Sequence, residues 1–525
     1  MSSRWSKVLR QGQTQTIPAK GAIRMRRLII AAASLAFSTL PGGAAGPDQQ
    51  SLALNAKLQS FATALAQVTD QTTTNAALIA AAGLADIAHS AAFAGPRTSR
   101  DWVPHATQAI AGQRLNMRLA LTMLSQAYGA DGNFDVMNAQ PTPDRDALVI
   151  RSGDLTLADL RGLLRGTQLQ PVSASGPLVL QVPLVIWAGA TLRLGRDEEL
   201  RLSRPDGAFV VNFGHLDVQG GTISSVGDPV TASPHFVPFV TTADGGSVQM
   251  QQGHVSGLGF GSTLKFSGFS IMEGSLHQAI EASWVENSQF DNLTSVSISA
   301  ANDVMMRGNR FRDMRGPALV VSRSLHAAIL ANVFSGTMPT NAIIAEDGAS
   351  NATIAGNIVI GGSRTGIVVR NSSTGATVSD NIVWRRDGGG ITLSNSDCGV
   401  ISANLVLDNS QKGIEVRSTQ EVAVRDNLVL SNHSAGVWVS AQTDAAQTTL
   451  QGNVLAENGA GVAGAVGGQI LMDGNSFANQ FPQFLSGDLA LLSGEIARDL
   501  TGQHRFVLMA AGTKAQAPKA SACAD

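Results

Sequence analysis

Apolar residues change their spacing along the chain, and each change predicts an element. Between residues 48 and 128 they recur at intervals of three and four. Leu54, Leu58, Phe61, Leu65 and Val68 thereby fall on one face of a helix. Two further Ala-rich stretches, around 76–93 and 105–128, end at Gly95-Pro96 and Gly129, both helix stops. Residues 46–135 are thus predicted as an Ala-rich helical region whose low charge implies packing against another surface. Thr156-Leu-Ala-Asp159 opens a short helix over 156–165 in the manner of a capping box, inside an entry strand and capping helix assigned to 148–177.

From Leu178 the period falls to two. Leu178–Ile186, Ala190–Leu194 and Ala208–Phe213 read as short strands punctuated by Gly, Pro and Asp. A longer repeat then takes over. Asn309, Asn332, Asn357, Asn381, Asn404, Asn427, Asn453 and Asn475 sit in related apolar frames at intervals of 23, 25, 24, 23, 23, 26 and 22. Leu319, Ile343, Ile367, Ile391, Ile414, Val437 and Val462 run in step with them. A fixed period means a solenoid. Three strands and three turns fill a coil of about 23 residues that rises by one inter-strand spacing. The expected fold is all-β, a right-handed parallel β-helix over 178–485, with a C-terminal cap and flexible tail over 486–525. An inward Asn repeated at one turn bonds to the coils above and below. Ser288 and Ser267 are expected to continue that column upstream.

Composition narrows the partners. Charged residues make up 14% of the chain and the formal net charge is −2, so no electrostatic lure for nucleic acid exists. The N-terminus reads as an export signal over 1–45: Arg24, Arg26 and Arg27, the apolar stretch Leu28–Leu40, then the small residues of Pro41–Ala45. Met25 is an alternative start, which would make 1–24 an extension. No apolar run of membrane-spanning length follows, so no anchor is expected after cleavage, and the expected home is periplasmic or secreted. The two cysteines, Cys398 and Cys523, fit neither a disulfide framework nor a metal site, and a bridge between them is left open. No metal and no cofactor is expected.

Equal coil lengths allow residues to be stacked in columns. Arg385, Asp408 and Ser431 share one column; Arg386, Asn409 and Asn432 the next; Asp387, Ser410 and His433 a third. By strand alternation Thr392, Glu415 and Trp438 point outward, as do Ser394, Arg417 and Ser440, while Ile391, Leu393, Ile414, Val416, Val437 and Val439 point inward. One face is therefore expected to collect Arg370, Arg385, Arg386, Asp387, Lys412, Glu415, Arg417, His433 and Trp438 within about four coils, roughly 15–20 Å. Such a face suits an anionic polysaccharide. Arg370, Arg385, Arg386, Lys412 and Arg417 would hold carboxylates, with Glu415 among the substrate contacts and Trp438 stacking a sugar ring. His433 is the proton acceptor, because imidazole titrates near neutrality, with Asp387 as its catalytic companion. Plainer readings stay open: Glu415 and Arg417 fit a surface ion pair, His433 and Asp387 ordinary turn positions, and Trp438 a residue covered by the N-terminal helices.

Pro183–Gly195, Leu200–Asn212, Phe236–Val240, Ser267–Ile271 and Gly390–Leu393 together resemble the periplasmic mannuronan C5-epimerases of alginate-producing bacteria, over about 148–510. The resemblance implies a periplasmic β-helix enzyme that inverts C5 of mannuronate within a polymer, without redox cofactors. An exopolysaccharide secretion complex is an implied partner. The family's Asp-Pro-His-Asp catalytic motif does not occur in this chain. The matching stretch reads Ala318-Leu-Val-Val-Ser-Arg323, so Ser322 stands at the His position. Two functions follow: an epimerase or lyase on uronate-rich polymer, and a non-catalytic binding, export or structural β-helix protein. A glycosidase is disfavoured, because no close pair of groove carboxylates stands out.

Overall fold

The computed structural model describes residues 15–16, 47–68, 73–88, 108–142, 144–228, 235–274, 279, 281–465, 467–510 and 523. The expected export signal lies outside them except at 15–16. Residues 89–93 of the second predicted helix also lie outside. The rest is built on a right-handed parallel β-helix with three faces, which we call A, B and C.

One coil illustrates the rule. Ile382–Trp384 lies on face C, Ile391–Ser394 on face B and Val400–Ser402 on face A. Each pairs in parallel with the equivalent strand one coil on: Leu405–Leu407, Ile414–Arg417 and Val422–Arg425. Among the described residues face C alone has 12 strands. The middle residues of its three-residue strands from His254–Ser256 onward, and the alternate residues of the other strands, fill a single interior, where Phe290, Phe311 and Phe334 stack at 5.1 and 4.5 Å. Ile391, Leu393, Ile414, Val416, Val437 and Val439 all point into it, as the alternation requires.

The Asn column sits at the turn from face A to face C. From Asn309 to Asn475 each side-chain amide donates to the next Asn carbonyl at 2.8–3.0 Å. Each also donates to a backbone carbonyl of the preceding coil, as Asn381 does to Ile354 at 2.9 Å. Every polar atom of a fully buried amide is thus matched. Ser288 continues the column, accepting from Gly253 N at 3.0 Å. Ser267 does not. Its hydroxyl bonds Leu264 O and Ser297 at the entry to face B. The coil there is 35 residues long, which breaks the count of 23 that placed it in the column.

Two further polar columns line the other corners. Asn409, Asn432, Asn458 and Gln480 form a second ladder between faces C and B, each amide donating to the next at 2.9–3.1 Å. Between faces B and A, Ser373, Ser396 and Gln442 cap the backbone N–H groups of Ala349, Ser373 and Thr419 on the preceding coils, at 3.1 Å each.

The N-terminal region is mixed rather than helical throughout. α1 (Pro47–Gln67) and α2 (Asn75–Ala81) are followed by a strand, Ala111–Asn116, and then by α3 (Arg118–Tyr128) and α4 (Asn133–Asn138). Residues 111–116, expected as helix, instead pair antiparallel with Asp146–Leu155, whose own partners are the first strands of faces A and B. Pairing with an open sheet edge outweighs weak helix propensity. α5 (Leu157–Thr167) begins with a true capping box at Thr156 and Asp159 and buries Leu157, Leu160 and Leu164 against the first coil. At the far end α6 (Ser493–Arg498) precedes Phe506–Met509, which pairs antiparallel with the last strand of face A. Among the described residues no helix is long and apolar enough to cross a membrane.

Candidate functional site

Face B carries the charged strip. Its register aligns Ser322, Glu346, Arg370, Ser394, Arg417 and Ser440 on successive coils, all outward. A neighbouring outward column runs Val320, Ile344, Val368, Thr392, Glu415 and Trp438. The first three of these are buried although they point away from the interior. The strip is therefore apolar and then polar along its length.

Its charges are arranged in pairs. Arg370 Nε donates to Glu346 at 2.8 Å, a partner that strand alternation does supply but that column stacking from Asn381 onward did not reach. Lys412 Nζ donates to Glu415 at 2.7 Å, and Thr392 Oγ1 to the same carboxylate at 3.4 Å. The same ammonium lies 4.8 Å from the Trp438 ring centroid, so Lys412 ties the carboxylate of one coil to the indole of the next. Trp438 is half-buried and is not covered by α1 or α2. Arg417 is exposed and forms no ion pair among the described residues. Glu415 pairs with Lys412 rather than with Arg417.

Other expected members stand elsewhere. Arg385 occupies the corner between faces C and B, packed 4.6 Å over Trp384 and bonded to Asp408 at 2.9 Å and to Gln59 of α1 at 3.0 Å. His433 joins Asp408 from the next coil at 3.5 Å, with 63% of its side chain exposed. Asp387 is exposed on the same corner. Arg386 departs from the expected groove altogether. It is fully buried and heads the second ladder, its backbone N–H donating to Asn409. Its guanidinium donates to the carbonyls of Thr340 at 2.6 Å and Arg364 at 3.1 Å, and to those of Gly361 and Ser363. Burial pushes its pKa down to about 10, against the pull of Asp387. The cause is local. Arg385, Asp408 and Ser431 all adopt left-handed backbone with φ of 53–55°, which breaks the alternation of the preceding strand and turns the next residue inward.

The Ala318–Arg323 stretch is placed at the upstream end of the same face. Val320 and Ser322 point outward and are buried, and Arg323 donates to Ser299 Oγ at 3.1 Å. His326, on the adjoining turn, faces Asp303 at 3.5 Å. At the turn opposite, Cys398 and Cys523 are joined as a disulfide, so the bridge left open by the sequence is made.

Fold and face together define a right-handed parallel β-helix protein, and the family model for the right handed beta helix region matches residues 244–383 and 294–455. Within that class, the chain is homologous to mannuronan C5-epimerases. It is 26% identical over 341 residues to mannuronan C5-epimerase AlgG of Azotobacter vinelandii, covering 61% of this chain and 65% of that one. With the mannuronan C5-epimerase of Pseudomonas aeruginosa it shares 30% identity over 226 residues, 40% of this chain and 41% of that one. The matched stretch thus spans less than two thirds of either relative's length. A crystal structure of the periplasmic alginate epimerase AlgG superposes with a TM-score of 0.52 at 19% identity, over 70% of this chain and 82% of that one. A single-substitution variant gives 0.60 at 20% identity, over 74% and 94%. At those identities the superpositions speak for the fold.

Proposed function

We propose that this chain is an exported protein that acts on an alginate-like polyuronate held along face B. One observation carries the reading: Arg370 and Arg417 share an outward column of face B, with Trp438 in the column beside it and Lys412 on the adjoining turn, on a scaffold homologous to mannuronan C5-epimerases. Arg370 and Arg417 are two coils apart, roughly 10 Å, so carboxylates on successive parts of one polymer can reach both. An Arg on a carboxylate offers paired, charge-assisted hydrogen bonds.

Inversion at C5 needs the uronate carboxylate neutralised, so that the adjacent C–H proton can leave, and a group to return a proton on the other side. In this reading Arg417 and Lys412 take the first task. For proton transfer this face offers Glu415 on the sheet and His433 on the adjoining corner, with Asp387 above it. Residues 1–45 serve as the export signal in this reading, and the Cys398–Cys523 disulfide suits the oxidising compartment beyond it.

Binding without turnover is the second reading. It is favoured by Val320, Ser322 and Arg323, which occupy the stretch where the resemblance calls for an Asp-Pro-His-Asp motif. Incubation with polymannuronate in deuterated water, followed by NMR, separates the two. Deuterium entering C5 supports the enzyme, and binding without exchange supports the second reading. Arg417→Ala is expected to weaken polymer binding by tenfold or more, on the order of the 1.5–3 kcal/mol of a charged hydrogen bond. Unchanged binding in that variant would remove face B as the site.

A further inference from the structure

Face C has an open, charged region that the face B reading does not use. The outward residues of its strands 199–203, 222–226, 254–256, 289–291 and 310–312 are nearly all polar. Over the first three of these strands lies a depression of about 500 Å3, floored by Glu199, Arg201, Thr222, Ser224, His254 and Ser256. It is shallow, polar and open to solvent along the face.

The side chains around it are held in place before any ligand arrives. Arg201 forms a two-pronged pair with Glu199, 2.7 Å on each arm. That hydrogen bond, with a smaller contribution from Ser224, holds the Glu199 carboxyl below its ordinary range. His254 Nε2 lies 2.8 Å from Asp291, whose other oxygen takes Arg312 Nε at 3.1 Å. With Nε2 engaged, His254 Nδ1 is the ring atom left to meet a hydroxyl. On the corner behind, Arg204 donates to Ser225 at 2.8 Å and to Gly257 O, and Arg315 donates to Leu258 O at 2.7 Å. Arg204 and Arg315 stand within electrostatic reach of each other, and neither has a carboxylate partner among the described residues.

Arg201 lines the depression, Arg204 is bonded to its Ser225, and Arg312 and Arg315 stand beyond, against the three carboxylates of Glu199, Asp291 and Asp313, the last 3.9 Å from Arg312. The excess is one positive charge beside a floor of hydroxyls. A neutral sugar would leave that excess uncompensated, whereas a carboxylate among hydroxyls would match it. We infer that this depression is a second binding site, for an acidic saccharide unit that presents one carboxylate and several hydroxyls. It rests on the polyuronate reading for the identity of the ligand and on face C alone for its location. A polymer engaged at both faces would gain by effective concentration what neither site gives alone.

The test follows His254 by NMR in the full-length protein with labelled histidine, the signal being assigned by its loss in His254→Gln. Oligomannuronate is expected to move the His254 resonance in the wild type and equally in Arg417→Ala. In Arg201→Gln and Arg204→Gln the affinity at this signal is expected to fall roughly tenfold, the equivalent of about 1.4 kcal/mol. Both residues are partly exposed, so neither change threatens folding. Uncharged mannotriose is expected to leave the signal in place. The inference is overturned if His254 is unmoved by oligomannuronate, or if mannotriose moves it as much. In the first case Arg417-dependent binding of the polymer reports separately whether the face B reading survives.

Discussion

The two halves of face C share one backbone and have opposite fates. From Glu199 to Arg312 its outward positions are nearly all polar, and α1 and α2 leave them uncovered except at Arg310. From Val333 onward they are apolar, including Ile358, Ile360, Ile382, Trp384, Leu405 and Leu407, and they form one cluster with Leu54, Leu58, Phe61 and Leu65 of α1 and Leu78 and Ile79 of α2. The switch takes one coil. Parallel strands dictate only that alternate residues leave the interior, and the chemistry of those residues decides whether they meet a helix or water. Asn75, the first residue of α2, marks the seam. Its amide donates to Gly308 O at 3.0 Å and Ala331 O at 3.3 Å, and its carbonyl accepts from Arg310 Nε at 2.8 Å.

The largest effect is expected from the covered half. Phe61 is fully buried between α1 and face C. Phe61→Ala should cost about 3–5 kcal/mol of the helix–sheet packing. The loss should appear as rapid protease cleavage within α1 while the β-helix keeps its far-ultraviolet dichroism. Resistance equal to wild type would mean that α1 is held by something other than this cluster. The seam comes next. Asn75→Ala removes the donor to two carbonyls and the acceptor of Arg310 Nε, at a cost of about 1–3 kcal/mol, and should loosen α2 in the same assay. On the open half, Thr222→Val should change the thermal midpoint by no more than about 0.5 kcal/mol allows, because nothing packs upon it. A loss as large as that of Phe61→Ala would show that the open half is covered after all.

The same contrast explains how far the sequence could be read. The Asn309–Asn475 column was legible because one residue type recurs at one interval, and inward and outward positions followed from it wherever a strand continued. α1 was legible from its apolar stripe, as was its need for a partner, but the partner lay in outward positions that look like core: Ile382 and Trp384 are apolar on a strand whose middle residue is also apolar. The indole covered by α1 is that of Trp384, whose Nε1 donates to Asn55 at 2.7 Å, and not Trp438. Arg386 was misplaced because a left-handed residue before it resets the alternation, and charge alone suggested the surface. The signal that could have corrected it was present in its own column, where Asn409 and Asn432 repeat as the first ladder's asparagines do. Lys412, Glu415, Arg417 and Trp438 were placed correctly on one face because each sits on a strand or beside one. Glu346 was missed as the partner of Arg370 because the stacking began at Asn381, downstream of both.

The smallest effect lies in the acid range and sharpens the contrast from the open side. Glu199 is held below its ordinary carboxylate pKa chiefly by Arg201, so the native state favours its ionised form relative to the unfolded chain. A depressed folded pKa contributes stability that is fully present above the unfolded value, about 4.3, and is lost as pH falls through the lower folded value. Because the pair is partly exposed, the contribution is at most a few tenths to about 1 kcal/mol. Glu199→Gln should therefore lower the urea midpoint slightly at pH 7, and the two proteins should converge by pH 3. Raised salt should shrink the difference at pH 7, since water screens this pair as it does not screen the buried seam at Asn75. A Gln variant more stable than the wild type at pH 7 would mean that Glu199 is penalised by burial rather than favoured by Arg201. The open half of face C would then be a closed one, and its depression no site for a charged ligand.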